Sequence, residues 1–241
     1  MLSKRQIKYF KSLQLKKYRD QERLFMVEGA KGVEEVLNSE FKVHSLMATE
    51  EYLSACAGHN GAEYCVKEEV LTQIGTFKSN HTAIAIVEMP EKEDPNVSTE
   101  GITLVLDSVR DPGNLGTIIR IADWYGISNI ICSPDTADWY NPKVVNSTMG
   151  SFTRVNLSYT ALEDFLKNVT VPIYGAVLNG KSIYEESLEK NALVVMGNES
   201  RGISREIQSY ITHPVLIPGK GKAESLNVAV STAVVLDNFF R

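Results

Sequence analysis

Five polar residues have types and positions suited to chemistry: Asn114, Arg120, Glu199, Ser225 and Asn227. Glu199 stands in a glycine-framed loop, Gly197-Asn198-Glu199-Ser200-Arg201-Gly202, directly after an apolar run ending at Met196. Arg120 sits among Ile118, Ile119, Ile121 and Ala122. A guanidinium in such surroundings ordinarily has an anionic partner, because burying it alone is costly. That partner is either internal, as a salt bridge to Glu199 or Asp107, or a bound anion. Asn114 suits a helix N-cap, and Gly116 and Arg120, four apart, share a helix face. Ser225 and Asn227 follow Ile217-Pro218-Gly219-Lys220-Gly221-Lys222. In this loop Gly219 and Gly221 permit backbone angles closed to other residues, and free backbone N–H and C=O groups can wrap a flat ligand. Cys56, Cys65 and Cys132 are odd in number and lack close metal-ligand spacing, so neither a disulfide framework nor a metal site is expected.

The loops after Asp107, Met196 and Ile217 each follow the carboxyl end of an expected strand, the edge at which open parallel sheets bind ligands. The apolar strand Ile102–Asp107 leads through Asp111-Pro112-Gly113-Asn114 into a helix running to Trp124-Tyr125 and closed by Gly126 at C′. Ile130–Cys132, Phe152–Leu157, Pro172–Leu178, Ala192–Gly197 and Pro214–Ile217 are further strands, and Pro142–Met149, Ala161–Asn168 and Ser204–Tyr210 are helices. Leu226–Phe240 is too uniformly apolar for a one-sided surface helix. Repeated strand–helix alternation predicts an α/β fold with a mostly parallel sheet covered on both faces. A site in which Asn114, Arg120, Glu199, Ser225 and Asn227 converge is the economical reading.

Residues 1–90 form a smaller α/β series: a basic amphipathic helix over 3–18, a strand over Arg23–Gly29, and alternating elements ending in the strand Thr82–Glu88. Residues 91–101, with Pro95 and almost no large apolar side chain, read as a linker to a second domain, 102–241. Residues 1–31 hold nine Lys/Arg against three Asp/Glu. That excess of six on a chain of net charge −5 leaves −11 for the rest. A basic segment on an acidic body is a phosphate-binding footprint or a solvated helix face. With 43% hydrophobic and 23% charged residues among 241, no membrane-length apolar run and no apolar leader, a cytoplasmic protein is expected, with no membrane partner. There is no G-x-G-x-x-G or Walker pattern, which disfavours a dinucleotide oxidoreductase.

Asn114-Leu115-Gly116-Thr117-Ile118-Ile119-Arg120 resembles the first motif, N-x-G-x-x-x-R, of the SpoU/TrmH family of RNA ribose 2′-O-methyltransferases. Val195 to Gly202 resembles its second motif, and Ile217-Pro218 with Ser225-Leu226-Asn227-Val228-Ala229 its third. Residues 4–90, with Phe25-Met26-Val27-Glu28-Gly29, are similar to that family's substrate-binding domain. The resemblance implies a C-terminal trefoil knot, S-adenosylmethionine as cofactor, a homodimer, and structured RNA as substrate, ribosomal in preference to transfer RNA. It implies that Gly197, Ile217 and Leu226 hold the cofactor and that Asn114, Arg120, Glu199, Ser225 and Asn227 form the polar site. The chain departs from the pattern at Gly219, where methionine is common, and at Lys220 and Lys222, which make the loop more basic. The alternative is a non-catalytic RNA-binding ribosome-assembly factor on the same fold.

Overall fold

The computed structural model describes residues 2–56, 61–91 and 100–241. The chain divides into two compact units, residues 1–92 with 138–153, and residues 93–137 with 154–241. Of the stretch expected as a linker, 92–99 lie outside the described residues.

In the first unit, helices α1 (Lys4–Ser12) and α2 (Lys16–Glu22) precede strand β1 (Leu24–Glu28). There follow α3 (Ala30–Leu37), β2 (Val43–Ala48), α4 (Glu50–Ala55), β3 (Ala62–Cys65), α5 (Glu68–Ile74) and β4 (Ala83–Glu88). The sheet order is β1-β4-β2-β3, with β4 antiparallel to both β1 and β2, and β3 parallel to β2. Successive side chains of a strand point to opposite faces, and here both faces are covered. Phe25, Val27, Ala83, Ala85 and Val87 join Val33 and Val36 of α3 in one core, while Leu24, Met26, Ile84 and Ile86 join Phe10, Leu71 and Ile74 in the other. This explains why β1 and β4 read as unbroken apolar runs.

The helix expected over 3–18 is instead two helices. Leu13 is buried, Leu15 is extended, and the Arg19 guanidinium, only 2% exposed, takes up the carbonyls of Leu13 and Gln14 at 3.0 and 2.7 Å while pairing with Asp138 at 2.5 Å. A buried cation thus satisfies the backbone groups that the break leaves open.

The second unit begins with β5 (Ile102–Leu106), α6 (Pro112–Trp124) and β6 (Asn129–Cys132). Helix α7 (Pro142–Ser147) and the 3₁₀ turn Ser151–Thr153 belong to the first unit, where Val145 and Phe152 join the core on the α3 side. Strand β7 (Asn156–Tyr159), α8 (Leu162–Leu166), β8 (Ile173–Ser182), β9 (Ala192–Met196), α9 (Arg205–Gln208), β10 (His213–Leu216) and α10 (Val228–Phe240) complete the chain. Six strands in the order β10-β8-β9-β5-β6-β7 form a sheet in which every adjacent pair is parallel. On one face Val105, Ile131, Leu193 and Val195 pack with Leu162, Leu166, Ile203 and Ile207. Leu104, Leu106, Val194 and Met196, one residue out of phase, are buried from the other face.

The strand expected over Phe152–Leu157 starts four residues later. Met149 and Gly150 turn the chain with φ of 53° and 98°, and Phe152 is drawn into the first unit's core, so pairing resumes only at Asn156. Helix α10 starts at Val228, with Asn227 as its N-cap. Along that helix Leu236 is fully buried, whereas Val230 remains 51% exposed. Gly126 ends α6 at φ 71° as expected. No described helix is long and apolar enough to cross a membrane.

Candidate active site

All eight residues singled out in the sequence lie in the second unit. Three are joined in one hydrogen-bonded chain. The Glu199 carboxylate accepts from the Asn114 side-chain amide at 3.0 Å, from the backbone N–H groups of Asp111 (3.1 Å) and Arg110 (3.4 Å), and from the Asn198 amide at 3.2 Å. Asn114 Oδ1 in turn accepts from Asn227 Nδ2 at 2.9 Å, and Asn227 Oδ1 caps α10 by accepting from Ala229 and Val230.

The amide orientations along this chain are forced from both ends. An ionised carboxylate only accepts, so Asn114 must present Nδ2 to Glu199 and Oδ1 to Asn227. The helix start offers only N–H donors, so Asn227 must turn Oδ1 to them and Nδ2 to Asn114. Both constraints agree. Burial alone would raise the Glu199 carboxyl; the hydrogen bonds from Asn114 and the backbone of Asp111 and Arg110 outweigh it and hold the pKa below its ordinary value.

Asn114 is not the cap of α6. Asp111 is, accepting the Asn114 backbone N–H at 2.9 Å with Pro112 in the first helical position, which leaves the Asn114 side chain free for the relay. Arg120 is exposed, and among the described residues neither Glu199 nor Asp107 pairs with it. The internal salt bridge is therefore absent, and its charge is open to a ligand. Ser225 is exposed and makes no hydrogen bond among the described residues.

Gly197 is required by the fold itself. The loop returns so closely that a Cβ there would strike the backbone of Gly202 and Ile203, while Asn198 and Gly202 exchange two backbone bonds of 2.9 Å. Gly202, at φ 69°, makes that return possible. Gly219 and Gly221, by contrast, are not in the left-handed region, and a Cβ at either would meet nothing within 4 Å. From Pro218 to Leu226 no backbone group is hydrogen-bonded among the described residues. Ile217 is half-buried and Leu226 half-exposed at the two ends. Free backbone donors and acceptors between apolar side chains suit a flat heteroaromatic ring with polar edges, such as adenine.

The positioning roles of Asn198, Asp107 and Arg110 are not legible in the sequence. Asn198 Oδ1 accepts from the backbone of Ser200 and Arg201, and its amide donates to the Ser108 carbonyl at 2.7 Å, tying the Glu199 loop to the end of β5. Asp107, buried, accepts the Ser204 backbone N–H at 2.7 Å and fixes the far end of that loop. Arg110 pairs with Asp135 at 2.5 Å. That pairing, with bonds from Ser133 and Ser108, lowers the Asp135 pKa to about 2. The signal for Asn198 was its place beside Glu199 in a glycine-framed loop.

Comparison with known proteins agrees with this geometry. The SpoU rRNA Methylase family matches residues 101–237, and an MRM3-like substrate binding domain matches residues 4–85. The 23S rRNA (guanosine(2553)-2′-O)-methyltransferase RlmP of Bacillus subtilis is 30% identical over 95% of this chain and 94% of its own. A TrmH-family structure from Porphyromonas gingivalis superposes with a TM-score of 0.91 at 38% identity, covering 99% of this chain and 98% of that one. An AdoMet-bound rRNA methyltransferase from Sinorhizobium meliloti superposes with a TM-score of 0.89 at 31% identity, covering 99% and 95%. With the three loops of its sequence motifs gathered at one sheet edge, the chain belongs to the SpoU rRNA methylase family.

Proposed function

We propose that this protein transfers a methyl group from S-adenosylmethionine to a ribose 2′-hydroxyl of structured RNA, ribosomal in preference to transfer RNA. The observation that carries the reading is the Glu199–Asn114–Asn227 relay, built from three motif loops and ending at the unpaired backbone of 218–226. Gly197, Ile217 and Leu226 would hold the cofactor. When bound, it supplies an electrophilic methyl group on a sulfonium centre. The chain's own part is to hold the hydroxyl in line and to stabilise the negative charge that grows on its oxygen as the proton leaves. Arg120, exposed and without an ion pair among the described residues, fits the second task. A guanidinium does not deprotonate in proteins, so its role is electrostatic, toward the forming alkoxide or a neighbouring phosphate, and not that of a base. The relay fixes the Asn227 amide and the start of α10, beside Ser225.

Three further parts belong to the same reading. The C-terminal segment forms a trefoil knot; supporting this, the β8–β10 register jumps from Gly175/Pro214 to Lys181/Val215, and a Cβ on Gly180 would lie 2.6 to 2.7 Å from the backbone of Pro214 and Val215. The protein is a cytoplasmic homodimer joined through the C-terminal helix α10, where Val230 and Phe240 are about half exposed, with Trp124, 84% exposed, on the α6 helix that packs against it. Residues 1–90 dock the RNA and residues 102–241 methylate it. Incorporation of labelled methyl from S-adenosylmethionine into ribosomal RNA, mapped to a 2′-oxygen, tests the whole. RNA binding without turnover would replace it with a non-catalytic assembly factor.

A further inference from the structure

The first unit buries a carboxylate that no helix or strand requires. Glu28, at the end of β1, is 4% exposed and accepts from the Thr76 backbone N–H at 2.8 Å, the Thr76 hydroxyl at 2.5 Å and the Phe77 backbone N–H at 3.2 Å. A buried carboxylate is tolerated only when hydrogen-bonded in this way, and every bond it makes here goes to the loop between α5 and β4. Gly75 has no room for a Cβ because the Glu28 carboxylate occupies that space. Gly29, at φ 84°, would bring a Cβ to 3.2 Å from the Phe77 ring. The Glu28-Gly29 pair is therefore explained by the loop it holds.

The loop is also fixed at both ends. Gln14 donates to the carbonyls of Ile74 and Gly75 at 2.7 Å each. Asn80, buried, accepts from the Thr82 backbone at 3.1 Å and donates to the Ala83 carbonyl at 3.0 Å. What the loop displays contributes nothing to either core: Phe77 is 37% exposed, and Lys78 and Ser79 are exposed. Helix α1, which packs on α5, displays Lys4, Arg5, Lys8 and Lys11. A fixed aromatic ring followed directly by an exposed lysine can stack on a base while the lysine neutralises a phosphate.

We infer that Phe77 is a stacking platform for an unpaired base of the RNA substrate, with Lys78 on the adjoining phosphate. This rests on the RNA-methylating function proposed above. The partner is RNA in preference to protein because the loop presents Lys78 directly after the ring and α1 adds exposed cations, while Glu68, the carboxylate that meets the loop, is paired with its His81.

The test uses the full-length protein and hairpin RNAs carrying 2-aminopurine at successive loop positions. Wild type should quench one position. Phe77→Leu, which keeps an apolar side chain over Gly29, should abolish the quench and weaken RNA binding by about 5- to 100-fold, with S-adenosylmethionine affinity and melting temperature unchanged, and Phe77→Trp should restore both. Lys78→Ala should lower the salt slope of binding by about 1. Unaltered RNA affinity and methylation KM in Phe77→Leu, while wild type methylates RNA, would overturn the platform and leave the function standing. A wild type that neither binds nor methylates RNA would sink both. A Phe77→Leu variant altered only in oligomeric mass would assign the loop to a protein contact and overturn the inference.

Discussion

Asn227 Nδ2 donates to Asn114 Oδ1 across 113 residues of sequence, and Asn114 Nδ2 donates in turn to Glu199. The two amides are locked in one orientation by a carboxylate at one end and a helix N-terminus at the other. Asn114→Asp retains the shape but sets a second carboxylate against Glu199 and removes a donor. Methyl transfer should fall by about 10²-fold or more, further than in Asn114→Ala, because like charges at hydrogen-bonding distance are worse than a gap. Recovery on acidification, as the two carboxyls share a proton, would support the relay. Equal rates for the two variants at neutral pH would refute it.

Glu199 and Asp135 both have folded-state pKa values below their ordinary ones. A depressed carboxyl contributes stability that is present above its unfolded value, near pH 4, and is lost as pH falls through the folded value. For Asp135 that window runs from about 4 down to about 2. Glu199→Gln and Asp135→Asn should each flatten the fall of urea-unfolding stability below about pH 4.5. Both side chains are partly solvated, so screening keeps each effect small. Parallel curves for wild type and both variants would contradict the assigned hydrogen bonds.

The exposed apolar side chains of α6 and α10 are consistent with a second copy of the chain. Val230→Arg should raise the dimer dissociation constant by about 100-fold or more, since it sets a charge inside a desolvated contact. The melting temperature of the isolated fold should change little, because Val230 is 51% exposed. Sedimentation showing wild type as an active monomer at micromolar concentration would end the proposal.

Lys8, Lys11, Lys16 and Lys17 are exposed on the first two helices. Replacing all four with Ala should reduce the slope of log binding against log salt by about 2 to 4, since each phosphate left without its lysine accounts for about 0.9. Lys16 already pairs with Asp20 at 3.1 Å and should contribute least. An unchanged slope would make this segment a solvated face.

Local patterns carried most of the fold and, in the candidate site, pointed to Glu199, Asn114 and Asn227, the three residues that hydrogen bonds join. Unbroken apolar runs located β1, β4, β5 and β9 because each is buried on both faces, and Gly126 announced the end of α6 through cap chemistry alone. The break at Leu13–Leu15 was not legible, since it depends on Arg19 reaching Asp138, 119 residues away. The helical turn at Phe152 was hidden because Met149, a residue without turn character, adopts φ 53° ahead of it. The Asp111 cap is legible in Pro112, although Asn114 competes with it as a capping residue type. Arg120 misled for a different reason: its neighbours are apolar, but its own helical position faces solvent.

That exposure makes Arg120 the sharpest test of the chemistry. With no ion pair to lose among the described residues, Arg120→Ala should leave the melting temperature and S-adenosylmethionine affinity nearly unchanged. If the guanidinium stabilises charge on the attacking oxygen or a neighbouring phosphate, methyl transfer should drop by about 10²-fold or more, with the loss in kcat if the charge develops only in the transition state. Arg120→Lys separates charge from shape, because lysine keeps the charge and loses the planar fork; partial rescue means charge alone, and none means a bidentate contact. A variant that unfolds would reveal a structural partner that the described structure does not contain. Wild-type turnover in Arg120→Ala would remove the residue from the site altogether.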